Sequence, residues 1–271
     1  FASGDYGYLV PYSSGGIVVR FDLATFTLVE VLNVATNNAD LKGFNGGFAE
    51  GDYGYLVPYY NSASLHGNVV RFDLATFTLV EVLNVAATYP TLTGFRGGFA
   101  AGEYGYLVPY SAGEYGYHGK VARFNLGTFA DVSMLDVADN NANLAGFYGG
   151  FAEGDYGYLV PNYNNGDNHG NVVRFDLATF THVEVLNVAA NNADLKGFSG
   201  GFAVGDYGYL VPVFNGTAYH GNVVRFDLAT FTQVEVLNVA ATYPTLTGFY
   251  GGFAAGEYGY LVPYHNSASL H

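Results

Sequence analysis

The stretch "YGYLVPY" at residues 53–59 recurs along the chain with small changes. Its copies begin at Tyr6, Tyr53, Tyr104, Tyr156, Tyr207 and Tyr258, at spacings of 47, 51, 52, 51 and 51 residues. A second segment, "VRFDLATF" at 70–77, recurs five times, so the first segment has one more copy than the second. A period near 50 residues without helical periodicity predicts stacked all-β units, because each unit alone could not bury its apolar faces.

One repeat predicts four strands. The first covers residues 43–50, and the pair Gly51-Asp52 then favours a two-residue hairpin turn. The second covers 53–59, where apolar residues on both faces indicate a strand sandwiched between neighbours. The third covers 68–74, and Asp73 is placed to accept backbone N–H bonds from the turn at 75–78. The fourth, at 80–86, is the most polar and suits an outer edge.

Four antiparallel strands graded from glycine-rich to polar predict a β-propeller blade. Gly-Gly pairs at 46–47, 97–98, 149–150, 200–201 and 251–252 would give room where first strands crowd around an axis. We expect residues 1–271 to form one propeller domain of five full repeats plus a surplus first hairpin at 253–271.

The surplus hairpin favours six blades, the last incomplete, because in a closed five-bladed ring it would compete for the place of residues 1–19. A five-bladed ring and an open β-solenoid are the alternatives. Both termini fall inside a repeat, so we expect the chain to be a piece of a longer protein.

At the level of the blade, the chain resembles known propeller families. The segments "GEYGYLVPY" (102–110) and "VVRFDLATFTLVEVLNV" (69–85) are similar to YVTN-type repeats, and "RFDLATFT" (71–78) resembles the corresponding kelch turn. The kelch Trp is absent, because the chain has no Trp. The "YGYLVPY" signature also resembles tandem arrays in surface proteins of algae and protists. The resemblance covers all five repeats and implies the fold, but propellers serve too many roles for it to imply a function.

The composition argues against several classes of partner. The formal net charge is −14, from nine Lys and Arg against 23 Asp and Glu, and five of the nine cations sit at one repeated strand position. Few cations remain for phosphates, so we expect no nucleic-acid binding. No apolar run approaches the roughly 20 residues of a membrane-spanning helix, so no membrane insertion is expected. The absence of Cys excludes disulfides and thiolate chemistry.

A charged set recurs on the third and fourth strands. Arg71, Asp73 and Glu81 have equivalents at Arg20/Asp22/Glu30, Arg174/Asp176/Glu184 and Arg225/Asp227/Glu235, while the third repeat has Arg123 with Asn125 and Ser133. We interpret this set as a structural charge network between blades. The hairpin register, and therefore the acid that faces the arginine, stays open.

A histidine precedes glycine in the loop after the second strand, at His66, His118, His169 and His220, with His271 in register. Copies of this loop would lie about 14 Å from the axis and about as far from one another. Zinc needs nitrogens at about 2 Å, so we expect no metal and no cofactor. A local turn role or a hydrogen bond to an adjacent blade is expected, with a pH-sensitive seam as the alternative. The oxygen-rich "NNGDN" at 164–168 predicts a polar turn rather than a calcium loop.

Variation between repeats gathers in two loops that should open on the same side. These are the loop after the second strand and the connection between blades, including the residue before each Gly-Gly pair. Such loops carry specificity on a rigid scaffold, although neutral drift explains the variation as well. The candidate ligand or partner residues are Tyr60, His66, Arg96, Tyr115, Tyr117, His118, Tyr148, Tyr163, His169, Tyr219, His220 and Tyr250. Asn215 begins the sequon Asn-Gly-Thr and is a candidate N-glycosylation site.

No catalytic motif accompanies these loops, and nearly every polar core residue recurs once per repeat, whereas catalysis needs an asymmetric set of groups. We therefore expect a non-enzymatic structural protein, extracellular or at the cell surface, that mediates protein contacts, self-association or filament assembly. The alternative is a carbohydrate-binding, lectin-like propeller with one shallow aromatic site per blade, for which Tyr115, Tyr117, Tyr163 and Tyr219 are candidates.

Overall fold

The computed structural model describes residues 1–12, 15–139, 141–164 and 166–265, apart from the side chains of Tyr115, His182, Val183 and Val234. The described chain forms five four-stranded antiparallel sheets, called blades 1 to 5, and a final two-stranded half-blade. Strands follow one another in sequence order within each blade. The predicted all-β, propeller-like class is confirmed. Residues 266–271 of the predicted surplus hairpin lie outside the described residues.

The strand bounds repeat from blade to blade. Blade 1 comprises β1 (Ala2–Ser3), β2 (Tyr6–Leu9), β3 (Ile17–Asp22) and β4 (Thr27–Asn33). Blade 2 comprises β5 (Phe44–Glu50), β6 (Tyr53–Pro58), β7 (Asn68–Asp73) and β8 (Leu79–Asn84). Blade 3 comprises β9 (Phe95–Ala101), β10 (Tyr104–Pro109), β11 (Lys120–Asn125) and β12 (Ala130–Asp136).

Blade 4 carries an additional short hairpin in its loop. Its strands are β13 (Phe147–Glu153), β14 (Tyr156–Pro161), β17 (Asn171–Asp176) and β18 (Thr181–Asn187), and the extra pair is β15 (Tyr163–Asn164) and β16 (Asp167–Asn168). Blade 5 comprises β19 (Phe198–Val204), β20 (Tyr207–Pro212), β21 (Asn222–Asp227) and β22 (Thr232–Asn238). The half-blade comprises β23 (Phe249–Ala255) and β24 (Tyr258–Pro263).

By their contacts, the residues divide into two compact units. The first unit is 1–116 with 120–134, and the second is 117–119 with 135–271. Blades 1 and 2 and nearly all of blade 3 belong to the first, and blades 4 and 5 and the half-blade belong to the second. A single propeller domain over 1–271, its number of blades and the solenoid alternative stay predictions.

The fourth strand of blade 2 ends earlier than the sequence predicts. It stops at Asn84 rather than at residue 86, and a helical turn, α1 (Val85–Thr88), follows. The Asn84 side chain accepts the Ala86 N–H at 3.0 Å, which is the N-cap arrangement that starts a helix. A 3₁₀ turn at Val239–Ala241, capped by Asn238, takes the same place in blade 5, and another 3₁₀ turn covers Gly113–Tyr115.

The grading from buried to exposed strands explains why the second strand is nearly constant. In blade 2, Tyr55, Leu56 and Val57 are fully buried, and the Phe48 ring of the first strand stacks on Tyr55 at 5.0 Å. The Phe72 ring of the third strand lies over Gly54 so closely that a Cβ there would be 2.3 Å from it. The fourth strand is largely exposed, as its polarity predicts.

The Gly-Gly pairs allow first strands of neighbouring blades to meet backbone to backbone. In the first unit, a Cβ on Gly46 would lie 3.3 Å from the Cα of Gly97, and both residues have positive φ, at 83° and 82°. In the second unit, Gly149 approaches Gly200 in the same way, with a corresponding distance of 3.2 Å. The predicted crowding of first strands is therefore present within each unit.

The turn between the third and fourth strands projects a phenylalanine onto the preceding blade. In blade 2, Asp73 Oδ1 accepts the Thr76 N–H at 2.6 Å, as predicted, and Phe77 has a φ of 52°. A bulky side chain rarely adopts this left-handed conformation. It directs the ring of Phe77 onto Tyr8 of blade 1, at 6.0 Å between centroids, and leaves Phe77 only 3% exposed.

The repeated arginine completes this contact from the other side. Arg20 of blade 1 lies between the Tyr6 ring, at 4.9 Å, and the Phe77 ring, at 4.7 Å. Its Nη1 donates to the Leu74 carbonyl of blade 2 at 2.7 Å, and its Nη2 pairs with Glu30 at 2.8 Å. We call the combination of turn phenylalanine, turn carbonyl and preceding-blade arginine the latch.

The latch recurs within both units with equivalent residues. Arg71 of blade 2 meets Leu126 and Phe129 of blade 3, and Arg174 of blade 4 meets Leu228 and Phe231 of blade 5. The structure also gives the register of the hairpin formed by the third and fourth strands. Directly opposite the arginines lie Glu30, Glu81, Glu184 and Glu235. The expected charge network between blades is corrected. The ion pair lies inside one blade, and the contact between blades is made to a carbonyl and a ring.

Two phenylalanines at the same turn position provide a matched test of the latch. Phe77→Ala should lower the free energy of unfolding by about 3 kcal/mol, because a large buried ring is removed. Phe26→Ala should change it by less than about 0.5 kcal/mol, because Phe26 is 84% exposed. Guanidinium unfolding followed by circular dichroism at low protein concentration measures both. Equal losses in the two variants would contradict the latch.

The arginines provide a second matched pair. Arg71→Lys should cost about 2 kcal/mol of stability, since an ammonium cannot donate in a fork to both Leu126 and Glu81 while stacked between two rings. Arg225→Lys should cost less than about 1 kcal/mol, because this arginine is held by a partly exposed ion pair with Glu235. The same unfolding measurement compares the two variants. A larger loss of stability in Arg225→Lys than in Arg71→Lys would refute the role given to Arg71 in the latch.

Candidate binding surface

The two variable loops are hydrogen-bonded to each other at one end of each blade. In blade 2, the Tyr59 and Tyr60 N–H groups donate to the Gly43 carbonyl at 3.1 and 3.0 Å. The His66 N–H returns to the Tyr59 carbonyl at 3.1 Å. The connection that enters a blade and the loop after its second strand therefore form one surface, as the repeat comparison predicts.

The histidine of this loop joins it to the incoming connection. His66 Nε2 lies 3.2 Å from the Gly43 carbonyl, and Nδ1 accepts the Asn68 N–H at 3.4 Å, an arrangement that fits the neutral Nε2–H tautomer. The ring also packs edge-on against Phe44, at 5.5 Å. His220 makes a similar contact with the incoming connection, with Nε2 3.0 Å from the Lys196 carbonyl. The predicted local role is confirmed, and the partner is the segment leading into the same blade.

The other two histidines of the set are equally buried. The His169 ring packs edge-on against Phe147 at 5.6 Å, and the His118 carbonyl accepts the Gly146 N–H at 3.2 Å. Burial lowers the pKa of His66 and His220, and it lowers the pKa of His169 to about 4. His66, His169 and His220 are therefore neutral at physiological pH. His271 lies outside the described residues.

The acidic and oxygen-rich groups of the loops serve local contacts. Asp167 pairs with Lys196 at 2.8 Å, which lowers the pKa of its carboxyl, and Asn168 Nδ2 donates to the Asn162 carbonyl at 3.0 Å. Across the described ranges, no three His, Asp or Glu side chains are grouped so that they could hold a metal ion.

An arginine stacked on tyrosines stands out in the first unit. The Arg96 guanidinium lies 4.8 Å from the Tyr59 ring and 4.1 Å from the Tyr110 ring, and its Nη2 donates to the Tyr59 hydroxyl at 3.1 Å. The Tyr12 ring also stacks on Tyr59, with 6.5 Å between the ring centroids. We call Tyr12, Tyr59, Arg96 and Tyr110 the aromatic–arginine cluster. Three of its members, Tyr12, Tyr59 and Tyr110, follow the second strands of blades 1, 2 and 3. The fourth, Arg96, stands before a Gly-Gly pair.

The second unit carries a different group at the same repeat positions. Tyr148 packs edge-on against Tyr250 at 5.3 Å, and Tyr250 lies 5.2 Å from Tyr264. The repeat between them has the small Ser199, whose hydroxyl donates to the Phe249 carbonyl at 2.7 Å. Tyr148 is buried, whereas Tyr250 is partly exposed. Substitutions at this one position therefore change the chemistry of the surface without changing the blade.

The remaining tyrosine candidates differ in their surroundings. Tyr60 is 46% exposed and bridges to Leu65. Tyr117 packs edge-on against Tyr163 at 5.1 Å, and Tyr219 stacks on His265 at 4.3 Å. The Tyr115 side chain lies outside the described part of the chain. The structure thus brings Tyr117 and Tyr163 together, but the described residues do not repeat one equivalent site in each blade.

Sequence comparison of the repeats missed three members of the aromatic–arginine cluster. Tyr12, Tyr59 and Tyr110 end copies of "YGYLVPY" and begin the variable loop, but they are not among the candidate residues. The signal was present, because this position is Asn162 in the fourth copy and Val213 in the fifth. It varies like the loop that it begins.

Asn215 lies in an exposed turn beside this surface. Its Oδ1 accepts the Thr217 and Ala218 N–H groups at 3.0 and 2.9 Å, and its Nδ2 is 3.5 Å from Asp194. Glycosylation at this sequon stays a prediction.

The helices of the described residues fall short of the length and apolar character that crossing a membrane requires.

In comparison with known proteins, no family model matches the chain and no curated protein is significantly similar to it.

The buried histidines predict a pH dependence of stability. The pKa of His169 falls from an ordinary 6.5 to about 4 on folding, so the unfolded chain binds more protons between these values. Stability should therefore be complete above about pH 6.5 and decline by about 3 kcal/mol towards pH 4 from this residue alone. His169→Gln should flatten the dependence of melting temperature on pH in this window.

Asp22→Asn is the control for the histidine prediction. Hydrogen bonds from Thr25 lower the pKa of the Asp22 carboxyl, so its contribution is lost at more acidic pH. The control should alter the acid limb below about pH 4 and leave the higher window unchanged. A His169→Gln profile identical to the wild type would contradict burial of a neutral ring.

Proposed function

We propose that this protein is a non-enzymatic structural scaffold that makes contacts with proteins, including copies of itself, outside the cell or at its surface. The observation that carries the proposal is the latch. The same contact joins successive blades within each unit, so its two halves are complementary surfaces that any further repeat could use. Contacts between two different surfaces of one protein extend into rings or filaments.

The use of the repeated polar groups supports a structural role. The latch arginines Arg20, Arg71 and Arg174 hold a carbonyl of the next blade, and the turn aspartates cap backbone N–H groups. The ring nitrogens of His66, His169 and His220 hydrogen-bond to loop backbone. Groups engaged in this way stabilise the fold and are not available to a substrate.

The loop side offers a second surface for protein partners. Tyrosine and arginine are enriched where proteins bind one another, because they give a large contact area at a small cost in conformational entropy. The aromatic–arginine cluster and the exposed Tyr60 and Tyr250 have this character. At the position before Gly-Gly, Arg96 and the exposed Tyr250 would give different repeats different contacts, whereas Asn45, Tyr148 and Ser199 are buried.

Carbohydrate binding is the less supported function. A shallow site in every blade would present an equivalent aromatic face each time. Instead Tyr117 and Tyr163 pack against each other, and Tyr219 packs against His265.

Self-association and glycan binding can be compared directly in the purified chain. Light scattering across a concentration series and negative-stain electron microscopy should show assembly that grows with concentration, and a glycan array should show no signal. A monomer at every concentration that binds glycans, and loses them in Tyr60→Ala or Tyr219→Ala, would replace the scaffold with a lectin. Turnover of a substrate that is lost on changing one unrepeated residue would overturn both.

A further inference from the structure

We propose that acid opens the loop tips of blades 2 and 5, at residues 60–65 and 214–219, through protonation of His66 and His220, and thereby switches the candidate binding surface between two states. The inference rests on the proposed scaffold function, because it names a regulation of the loop side that protein partners would contact. It follows from the internal bonds of each tip, from the contacts of each ring and from the charged groups nearby.

The tip of blade 2 is a turn held by its own bonds. Tyr60 and Leu65 face each other in a β-bridge, and Asn61 Oδ1 accepts the Ala63 and Ser64 N–H groups at 3.1 and 3.0 Å. All of these bonds lie inside the tip. It can therefore move as one unit without breaking them.

The tip of blade 5 has the same construction from a different sequence. Phe214 and Tyr219 form the bridge, and Asn215 Oδ1 accepts two N–H groups of the turn at 3.0 and 2.9 Å. The residues between the bridge partners read "NSAS" at 61–64 and "NGTA" at 215–218. The two tips thus share an architecture and the histidine that follows it.

Both ends of the blade 2 tip are fastened to the connection that enters the blade. The Gly43 carbonyl accepts the Tyr59 and Tyr60 N–H groups and lies 3.2 Å from His66 Nε2. A Cβ on Gly43 would lie 1.7 Å from the Tyr60 carbonyl oxygen, so the tip packs directly on glycine backbone. Backbone N–H groups therefore hold the first end of the tip, and the His66 ring holds the second.

A neutral ring satisfies the contacts of His66, and a charged ring does not. Nε2–H donates to the Gly43 carbonyl, while Nδ1 accepts the Asn68 N–H at 3.4 Å. Protonation would place a second N–H on Nδ1, opposite the Asn68 N–H, and one hydrogen bond would become a contact between two donors. The charge would also lie in a site where the residue is only 7% exposed. The protonated ring should therefore leave, and the tip with it.

Several titratable groups surround the two rings. The incoming connections contribute charged residues, namely Asp40 and Lys42 in blade 2 and Asp194 and Lys196 in blade 5. The preceding loop contributes Asp167, which pairs with Lys196 at 2.8 Å. The loops themselves contribute Tyr59, Tyr60 and Tyr219, and His265 stacks on Tyr219.

The balance of these influences favours the open tip in acid. Burial lowers the pKa of His66 and His220, and the nearby Asp40 and Asp194 offset this only in part. In an open tip each ring would regain the ordinary pKa of 6.5. The open tip therefore binds a proton more tightly than the closed one, so the closed state is complete above pH 6.5 and is lost as the pH falls.

The histidine of blade 5 also contacts the connection that follows its blade. His220 Nε2 lies 3.0 Å from the Lys196 carbonyl, and the carbonyl of His220 accepts the Gly248 N–H at 3.2 Å. His169 is placed in the same way, because its carbonyl accepts the Gly197 N–H at 3.2 Å. Movement of one histidine in the second unit should therefore disturb the connection into the next blade.

A single tryptophan can report the opening, because the chain contains no Trp. Tyr60→Trp places this reporter at the first residue of the blade 2 tip, which is 46% exposed. Its fluorescence should be constant at neutral pH and change in one transition with a midpoint below pH 6.5. Circular dichroism of the strands should stay constant through that transition, because the tip moves while the blades remain folded.

Two glutamine variants in the Tyr60→Trp background form a matched pair. His66→Gln should abolish the transition, because an amide offers one donor and one acceptor and takes up no proton in this range. His220→Gln should leave the transition unchanged, because His220 belongs to the other unit. Fluorescence that is independent of pH until the strands unfold, or a transition that survives His66→Gln, would overturn the inference.

Light scattering at pH 7 tests the scaffold function separately. Assembly at pH 7 without a fluorescence transition would refute the acid-driven opening and leave the scaffold standing. A transition that depends on His66 in a chain that stays monomeric at every concentration would count against the scaffold and support the opening. A fluorescence change that coincides with loss of the strand signal would also overturn the opening, because it would report global unfolding.

Discussion

The structure depends on a contact between a phenylalanine in a left-handed turn and an arginine of the preceding blade. A bulky residue in this conformation costs about 1–2 kcal/mol, so the turn persists because Asp73 caps its backbone and the Phe77 ring is buried beside Arg20. A guanidinium between two aromatic rings contributes up to about 2 kcal/mol when desolvated, with a charge-assisted hydrogen bond in addition. One strained residue thereby joins two blades.

This contact makes the array directional. Each blade offers an arginine and a tyrosine on one side and a turn phenylalanine on the other, so the two sides are complementary but different. Stability in such arrays is a sum of terms within repeats and terms between nearest neighbours. The contribution of a repeated residue to stability therefore depends on whether a neighbouring blade covers it, as the buried Phe77 and the exposed Phe26 illustrate. The loops lie outside this contact and can vary. One set of residues therefore holds the blades together, and another set is free to change on the candidate binding surface.

Local chemistry decided which features could be predicted. Strand positions, the Asp73 turn and the crowded Gly-Gly pairs follow from periodicity and from single-residue preferences. To predict that Arg71 pairs with Glu81, one must know the register of the third and fourth strands. A β-bulge between Arg71 and Phe72 shifts that register, and sequence patterns do not show a bulge. The latch joins residues about one repeat apart, and its left-handed phenylalanine runs against ordinary preference. The helical turn after Asn84 and the cluster around Arg96 were overlooked although Asn84 and the variable last residue of "YGYLVPY" signalled them.

A double-mutant cycle tests the latch most directly, because it isolates the energy between two side chains. Arg71→Ala and Phe129→Ala, alone and together, should show a coupling energy of about 1–2 kcal/mol, since these residues meet across two blades at 4.5 Å. Arg71 and Phe77 belong to one blade, and Phe77 packs on Arg20 instead, so their cycle should show coupling below about 0.5 kcal/mol. Coupling of equal size in the two cycles, or its absence from the first, would contradict a latch that acts between blades.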